Sequence, residues 1–207
     1  MKIYLASESP RRIELLNWMG FAFKIIGHKV DESRVKVKKG EDLVTELSML
    51  KASNPVKKVK GLVIGSDLTV ELEGRQIGKP KDESEAKQML KSLSGKTHSV
   101  WCGVAVVDSK TDEGRLSVCE TKVKMKAYDD KIIFRYIKKF ELMDKGGAYS
   151  IRYKLPGYGS LVEKIDGSFT NVLGFPLHYL ENLLKEFGVE VKKDWRKICK
   201  KETGDEY

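Results

Sequence analysis

The chain has 207 residues, 41% of them hydrophobic and 33% charged, which fits a globular protein with a core and one large domain or two small ones. No apolar run approaches the roughly 18 to 20 residues that span a bilayer, and no long apolar segment follows the single basic residue near the start, so neither a membrane helix nor a signal peptide is predicted and a cytoplasmic location follows. The formal net charge of +9 favours anionic partners without choosing among nucleotides, nucleic acid and acidic surfaces, and three cysteines without Cys-x-x-Cys spacing indicate neither a disulfide framework nor a thiolate zinc site.

In chain order, a short strand is predicted over 2–6 and a helix over 10–19, with Ile13, Leu15, Leu16 and Met19 on its apolar side. Gly20 ends that helix, and a second strand covers 21–26. Residues 27–40 are polar, lack a period and read as a loop. Helical spacing returns over 41–52 in Leu43, Val44, Leu47 and Leu50. The continuous apolar run at 61–65 reads as a strand buried on both faces, and 68–72 with 76–78 form a hairpin around Glu73-Gly74-Arg75. A helix over 83–93 places Ala86, Met89, Leu90 and Leu93 in register. Two long strands, 98–107 and 115–127, precede a helix over 129–140, a Gly-rich stretch, a strand over 161–165 and a last helix over 176–187. Strands and helices mixed without a βαβα rhythm predict an α/β or α+β sheet with mixed strand directions. They are read as one domain over 1–190 with two lobes around a cleft. The basic extension over 191–207 is expected to be a solvated, partly ordered end. The histidines His28, His98 and His178 show no ligand spacing and are read as surface or satisfied core residues.

The strongest local signal is Ser7-Glu8-Ser9-Pro10-Arg11-Arg12, between the first strand and the first helix. Proline suits a first helical turn, Ser9 stands at the N-cap, and the free N–H groups of such a terminus suit a phosphate. Ser7 adds a hydroxyl donor, and Arg11 and Arg12 add fork-like donors matched to phosphate oxygens. The competing reading is two solvated first-turn arginines. Asp67 is predicted just past the buried strand, projecting into a cleft, where it could hold Mg²⁺ or Mn²⁺, deprotonate a water, or merely cap a turn. On its own, Glu32 reads as a surface acid of the long loop. Lys51, near the end of an apolar helix, and Lys79, in the stiff Gly78-Lys79-Pro80 turn, could each contact phosphate, but lysine is common in this chain.

Together these segments resemble the Maf family of nucleotide pyrophosphatases, also called septum-formation-inhibitor-like proteins. The likeness opens on Leu5-Ala6-Ser7-Glu8-Ser9-Pro10-Arg11-Arg12-Ile13-Glu14-Leu15-Leu16 and continues through Val30-Asp31-Glu32, Lys51-Ala52, Ile64-Gly65-Ser66-Asp67 and Gly78-Lys79-Pro80. It goes on through Leu93-Ser94-Gly95-Lys96-Thr97-His98, Asp144-Lys145-Gly146-Gly147-Ala148-Tyr149, Val162-Glu163-Lys164-Ile165-Asp166-Gly167 and Asn171-Val172-Leu173-Gly174-Phe175-Pro176-Leu177. The resemblance implies an elongated α/β fold with a cleft between two lobes, similar to the inosine-triphosphate pyrophosphatases. It implies attack of water on the α-phosphate of a nucleoside triphosphate with a divalent metal, Mg or Mn, releasing pyrophosphate and removing non-standard or modified nucleotides. Ser7, Arg11, Arg12, Lys51 and Lys79 would bind the triphosphate, Asp67 would be the catalytic acid as metal ligand or base, Glu32 would assist with the metal, and the protein would be a homodimer. Members preferring dTTP and UTP usually carry glutamine where this chain has Arg152, which could read a base carbonyl, bind a further phosphate or point away. Members preferring 7-methyl-GTP replace the first arginine of the pair with tryptophan, whereas Arg11 is retained here. Ser66-Asp67-Leu68 also departs from the commoner Ala-Asp-Thr. The chain therefore fits neither substrate pattern and the preferred base stays open, with pyrimidine triphosphates of the dTTP or UTP kind favoured. The alternatives are a nucleotide-binding regulator of septum formation without turnover and a nucleic-acid-binding module, the latter lacking any known reader motif.

Overall fold

Seven strands form one mixed sheet in the order β2-β1-β3-β5-β6-β7, with β4 added to β3. In the computed structural model, which describes residues 1–37 and 39–203, the elements are β1 (Ile3–Leu5), α1 (Pro10–Trp18), β2 (Lys24–Ile25), α2 (Gly40–Ser53), β3 (Leu62–Leu72), β4 (Arg75–Ile77) and α3 (Glu83–Leu93). They continue with β5 (Thr97–Asp108), β6 (Gly114–Met125), α4 (Asp130–Lys139), β7 (Val162–Asp166), α5 (Phe169–Leu173), α6 (Leu177–Glu186) and α7 (Trp195–Thr203). β2 and β3 run parallel to β1, and every other pairing is antiparallel. Local chemistry fits these assignments: the Asp82 and Asp129 carboxylates accept the N–H groups of Glu85 and Ile132 at 2.8 and 2.9 Å, capping α3 and α4. Among the described residues no helix is long and apolar enough to cross a membrane.

The sheet's register creates an opening. A strand has two edges, and β5 covers one edge of β3 from Leu62 to Glu71. The other edge is shared: β1 pairs with Leu62, Val63 and Ile64, while β4 pairs with Val70, Glu71 and Leu72. Residues 65–69 are left bare between them. The chain leaving β1 at Ser7 and the chain leaving β4 at Gly78 therefore flank the same gap.

This corrects the expected strand boundaries. Asp67 does not follow the strand; it lies inside the eleven-residue β3. The apolar run ends at Gly65, but backbone pairing to β5 carries the strand on through polar Ser66, Asp67 and Thr69. β2 is also shorter than predicted, although Phe21 is buried in the core.

Helix α2 lies on one face of the sheet, over β3, β5 and β6. Two glycines permit its approach. A Cβ on Gly65 would stand closer than 3.0 Å to the Ala52 nitrogen and Ser48 carbonyl, and one on Gly103 equally close to the Val44 carbonyl. Gly103 is also the β5 partner of Asp67, so the helix is seated deepest beside the candidate catalytic acid. Gly103→Ala should destabilise the fold by about 1–3 kcal/mol, the usual cost of overpacking. It should also cut turnover by lifting α2 and its Lys51; a lowered urea midpoint at constant slope is the check.

The larger core occupies the other face, where Leu5, Ile64 and Val104 meet Leu15 and Leu16 of α1 and Leu180 and Leu184 of α6. Trp195 and Cys199 of α7 join it and are fully buried. The extension is therefore not a solvated end over 195–203: its basic residues alternate with apolar ones that dock as a helix, and the backbone N–H groups of Lys192 and Lys193 donate to the Met19 carbonyl. Residues 204–207 lie outside the described residues.

Candidate active site

The gap in the sheet opens into a cleft of about 530 Å³. Its lining includes Ser7, Glu8, Arg11 and Arg12 around the start of α1, His28 and Glu32 from the long loop, and Lys51 from α2. Asp67 and Thr69 come from β3, Lys79 from the turn after β4, and Lys145 from the Gly-rich stretch. Five cationic side chains face three acids, so the cavity offers a net positive field to an anion.

At the entrance, α1 begins with Pro10 and has no side-chain cap, although Ser9 stands at the N-cap. Ser7, almost fully buried, receives the Ser9 N–H on Oγ at 3.2 Å and the Arg12 guanidinium at 3.5 Å. The uncapped turn leaves backbone donors and the positive end of the helix dipole directed to the cleft. Both arginines are tied to carbonyls distant in sequence: Arg11 donates to Asp144 at 3.0 Å and Arg12 to Gly174 at 3.2 Å. Gly174 itself ends α5 with φ of 120°, a conformation suited to glycine.

Deeper in, Lys51 is 5% exposed and bridges two acids, with Nζ 2.6 Å from Asp67 Oδ1 and 2.8 Å from Glu32 Oε1. Asp67 is 12% exposed and Glu32 about half exposed. A buried ammonium requires such partners. Because Lys51 takes Oδ1, Oδ2 of Asp67 carries no hydrogen bond among the described residues. Burial works to raise the Glu32 carboxyl, but the Lys51 hydrogen bond and charge, with His28 and Arg12 behind it, hold it below its ordinary value.

Sequence reasoning missed His28. It stands near this cluster with Nδ1 buried and unpartnered among the described residues. Burial lowers its pKa first, Lys51 lowers it further, and Glu32 opposes. Its spacing carries no signal, because the loop alone brings it to the cleft. His98 is a core residue only half satisfied: its Nε2 lies 2.8 Å from the Tyr149 hydroxyl, its buried Nδ1 has no partner among the described residues, and burial pushes its pKa down to about 4. That pair fixes the stretch behind Lys145, where Gly147 (φ 72°) donates its N–H to the Gly78 carbonyl beside Lys79.

Of the residues predicted from sequence, Ser7, Arg11, Arg12, Glu32, Lys51, Asp67 and Lys79 converge on the cleft. Lys79 is exposed and has no ion-pair partner among the described residues. Arg152 is not brought to the lining. Its guanidinium makes two bonds to the Glu14 carboxylate, at 2.8 and 2.9 Å, and lies 5.6 Å from the Trp18 ring centroid. Glu14 and Trp18 stand one helical turn apart on α1 and together hold the fork against that helix.

The donor set suits a divalent ion of the Mg²⁺ or Mn²⁺ kind. Such ions take one or two carboxylates and complete their shell with water and substrate phosphate, and Asp67 and Glu32 supply the carboxylates beside cationic phosphate donors. Among the described residues no cluster of three or more His, Cys, Asp or Glu side chains forms a ready cage, so phosphate oxygens would have to contribute.

The family model described as Maf-like protein matches residues 2–187. The chain belongs to the Maf-like protein family. Among its curated relatives, the dTTP/UTP pyrophosphatase of Acetivibrio thermocellus is 45% identical over 201 residues, covering 93% of this chain and 98% of that protein. The dTTP/UTP pyrophosphatase of Thermotoga maritima is 41% identical over 208 residues, covering 99% and 96%. In this Maf-like chain the fold also resembles solved structures: a HAM1 protein from Coxiella burnetii has a TM-score of 0.55 at 16% identity, covering 90% of this chain and 99% of that one. The Staphylococcus aureus Ham1 protein gives 0.51 at 14% identity, with 90% and 100% covered. These likenesses concern the fold alone.

Proposed function

We propose that this Maf-like protein hydrolyses nucleoside triphosphates to the monophosphate and pyrophosphate, with dTTP and UTP as favoured substrates. The observation that carries the proposal is the Lys51 ammonium bridging Asp67 and Glu32 at the foot of a cleft whose entrance is ringed by Arg11, Arg12 and Lys79. The names of its relatives supply the substrate pair.

In this reading each side chain of the cleft has a step. Ser7, the uncapped α1 turn, Arg11, Arg12 and Lys79 bind the triphosphate and offset its charge. Lys51 orients Asp67 through Oδ1, so that Oδ2 accepts a proton from water. The water oxygen bonds to the α-phosphorus as the bond from that phosphorus to the bridging oxygen breaks. Pyrophosphate departs with the bonding pair, stabilised by the cations around it. A divalent ion, held by Asp67 and Glu32, would neutralise phosphate charge and polarise the phosphoryl group.

The regulator reading is not favoured, because a protein that only binds nucleotide has no use for two acids held beside a polyanion. The homodimer implied by the resemblance is carried forward as part of the proposal, with light scattering at twice the chain mass as its check. The decisive experiment is pyrophosphate release from dTTP, UTP, CTP, GTP, ITP, 7-methyl-GTP and 5-methylated pyrimidine triphosphates, with Mg²⁺ and then Mn²⁺. Metal-dependent turnover led by dTTP and UTP is expected. Binding without turnover of any of them would restore the regulator reading.

A further inference from the structure

Lys145 belongs to the motif Asp144-Lys145-Gly146-Gly147-Ala148-Tyr149, to which the steps above assign no role. Its side chain is 10% exposed yet lines the same cleft as Arg11, Arg12 and Lys79. An ammonium buried this far requires an anion, and it is hydrogen-bonded to the carboxylate of Asp144. That carboxylate is itself 64% exposed and serves Arg11 as well, at 3.7 Å from its Nη1. One exposed acid thus answers two cations, which leaves one positive charge in excess at the cleft. Tyr153 steadies the arrangement, its ring centroid 5.2 Å from Nζ.

We propose that Lys145 is a substrate-binding residue, a fourth cation of the triphosphate site beside Arg11, Arg12 and Lys79, that exchanges Asp144 for a phosphoryl oxygen when nucleotide enters. The inference rests on the pyrophosphatase reading above. An ammonium has three donors, so Lys145 can turn to a phosphate without leaving the wall that holds it. Asp144 then acts as the resting counter-ion and as a competitor of the phosphate. Lys145 and Asp144 therefore have opposite effects on anion affinity, whereas a pair that merely braced the loop would fail in the same direction from either side.

The test is calorimetric binding of pyrophosphate to the full chain, with dTTP kinetics alongside, for wild type, Lys145→Gln and Asp144→Asn. Lys145→Gln should weaken pyrophosphate binding about tenfold, as loss of a charged hydrogen bond does, and raise KM for dTTP by a similar factor with kcat changed only a few-fold. Asp144→Asn should leave pyrophosphate binding unchanged or tighter. Unchanged affinity in Lys145→Gln, or weakening by similar factors in both variants, would overturn the proposal. Should Lys145→Gln not fold, weakened binding in Asp144→Asn alone overturns it. Wild type that binds pyrophosphate but turns over no nucleotide would refute the pyrophosphatase reading, while the affinities still decide the place of Lys145.

Discussion

Asp67→Asn should abolish most turnover while leaving nucleotide binding within a few-fold of wild type. The amide keeps the size of the carboxylate and can still accept the Lys51 N–H on Oδ1, so α2 stays seated on β3. It cannot take a proton from water, and removing a positioned general base costs about 10²- to 10⁴-fold in rate. The cations that hold the triphosphate come from other elements: Arg11 and Arg12 from α1, Lys79 from the turn after β4. A fall in kcat with an unchanged dissociation constant for nucleotide is therefore the expected signature. Stability should drop by about 1–3 kcal/mol, since the buried Lys51 loses one charged partner but keeps Glu32. Turnover within tenfold of wild type would move the base to another group, and Glu32→Gln would then be the next variant.

Parts of this site were legible in the sequence, because they rest on local rules. Pro10 behind Ser9 marks a helix start, and the free N–H groups of a helix start after a strand suit an anion. The amphipathic spacing of α3 placed that helix at its observed bounds, and the long runs of β5 and β6 were placed with boundaries off by a residue or two. What stayed hidden depends on pairing across the chain. Asp67 looks like a residue beyond a strand, because its neighbours are polar; only β5 on one edge shows that the strand continues. Lys51 looks like one lysine among many, and its burial arises only where Gly65 and Gly103 let α2 approach. Arg152 is claimed by Glu14, 138 positions away, and no periodicity announces that. The basic composition of the C-terminal extension also masks Trp195 and Cys199, spaced one turn apart and buried together.

Lys51→Met should be more damaging than Asp67→Asn, because it leaves two carboxylates where one cation had joined them. Met matches the reach of the lysine stem without its charge, so the loss is electrostatic rather than a cavity. Breaking a buried ion pair from one side costs about 3–5 kcal/mol, and exposure of half of Glu32 places this site at the lower end. The pH dependence separates charge from packing. In the wild type Glu32 titrates below its ordinary value, burial being outweighed by Lys51. Its contribution to stability is therefore complete above the unfolded carboxyl value of ~4.3 and is lost as pH falls through the folded one. Without Lys51 the largest opposition to burial is gone and only His28 and Arg12 still favour the carboxylate, so Glu32 titrates higher than in the wild type. The stability gap between wild type and variant should then be widest near neutral pH and narrow as the medium is acidified through the carboxyl range. Urea denaturation at pH 7.5, 5.5 and 4 measures it directly. A gap that stays constant over that range would mean that Lys51 acts through packing alone, and its bridge would no longer explain how Asp67 is held ready for water.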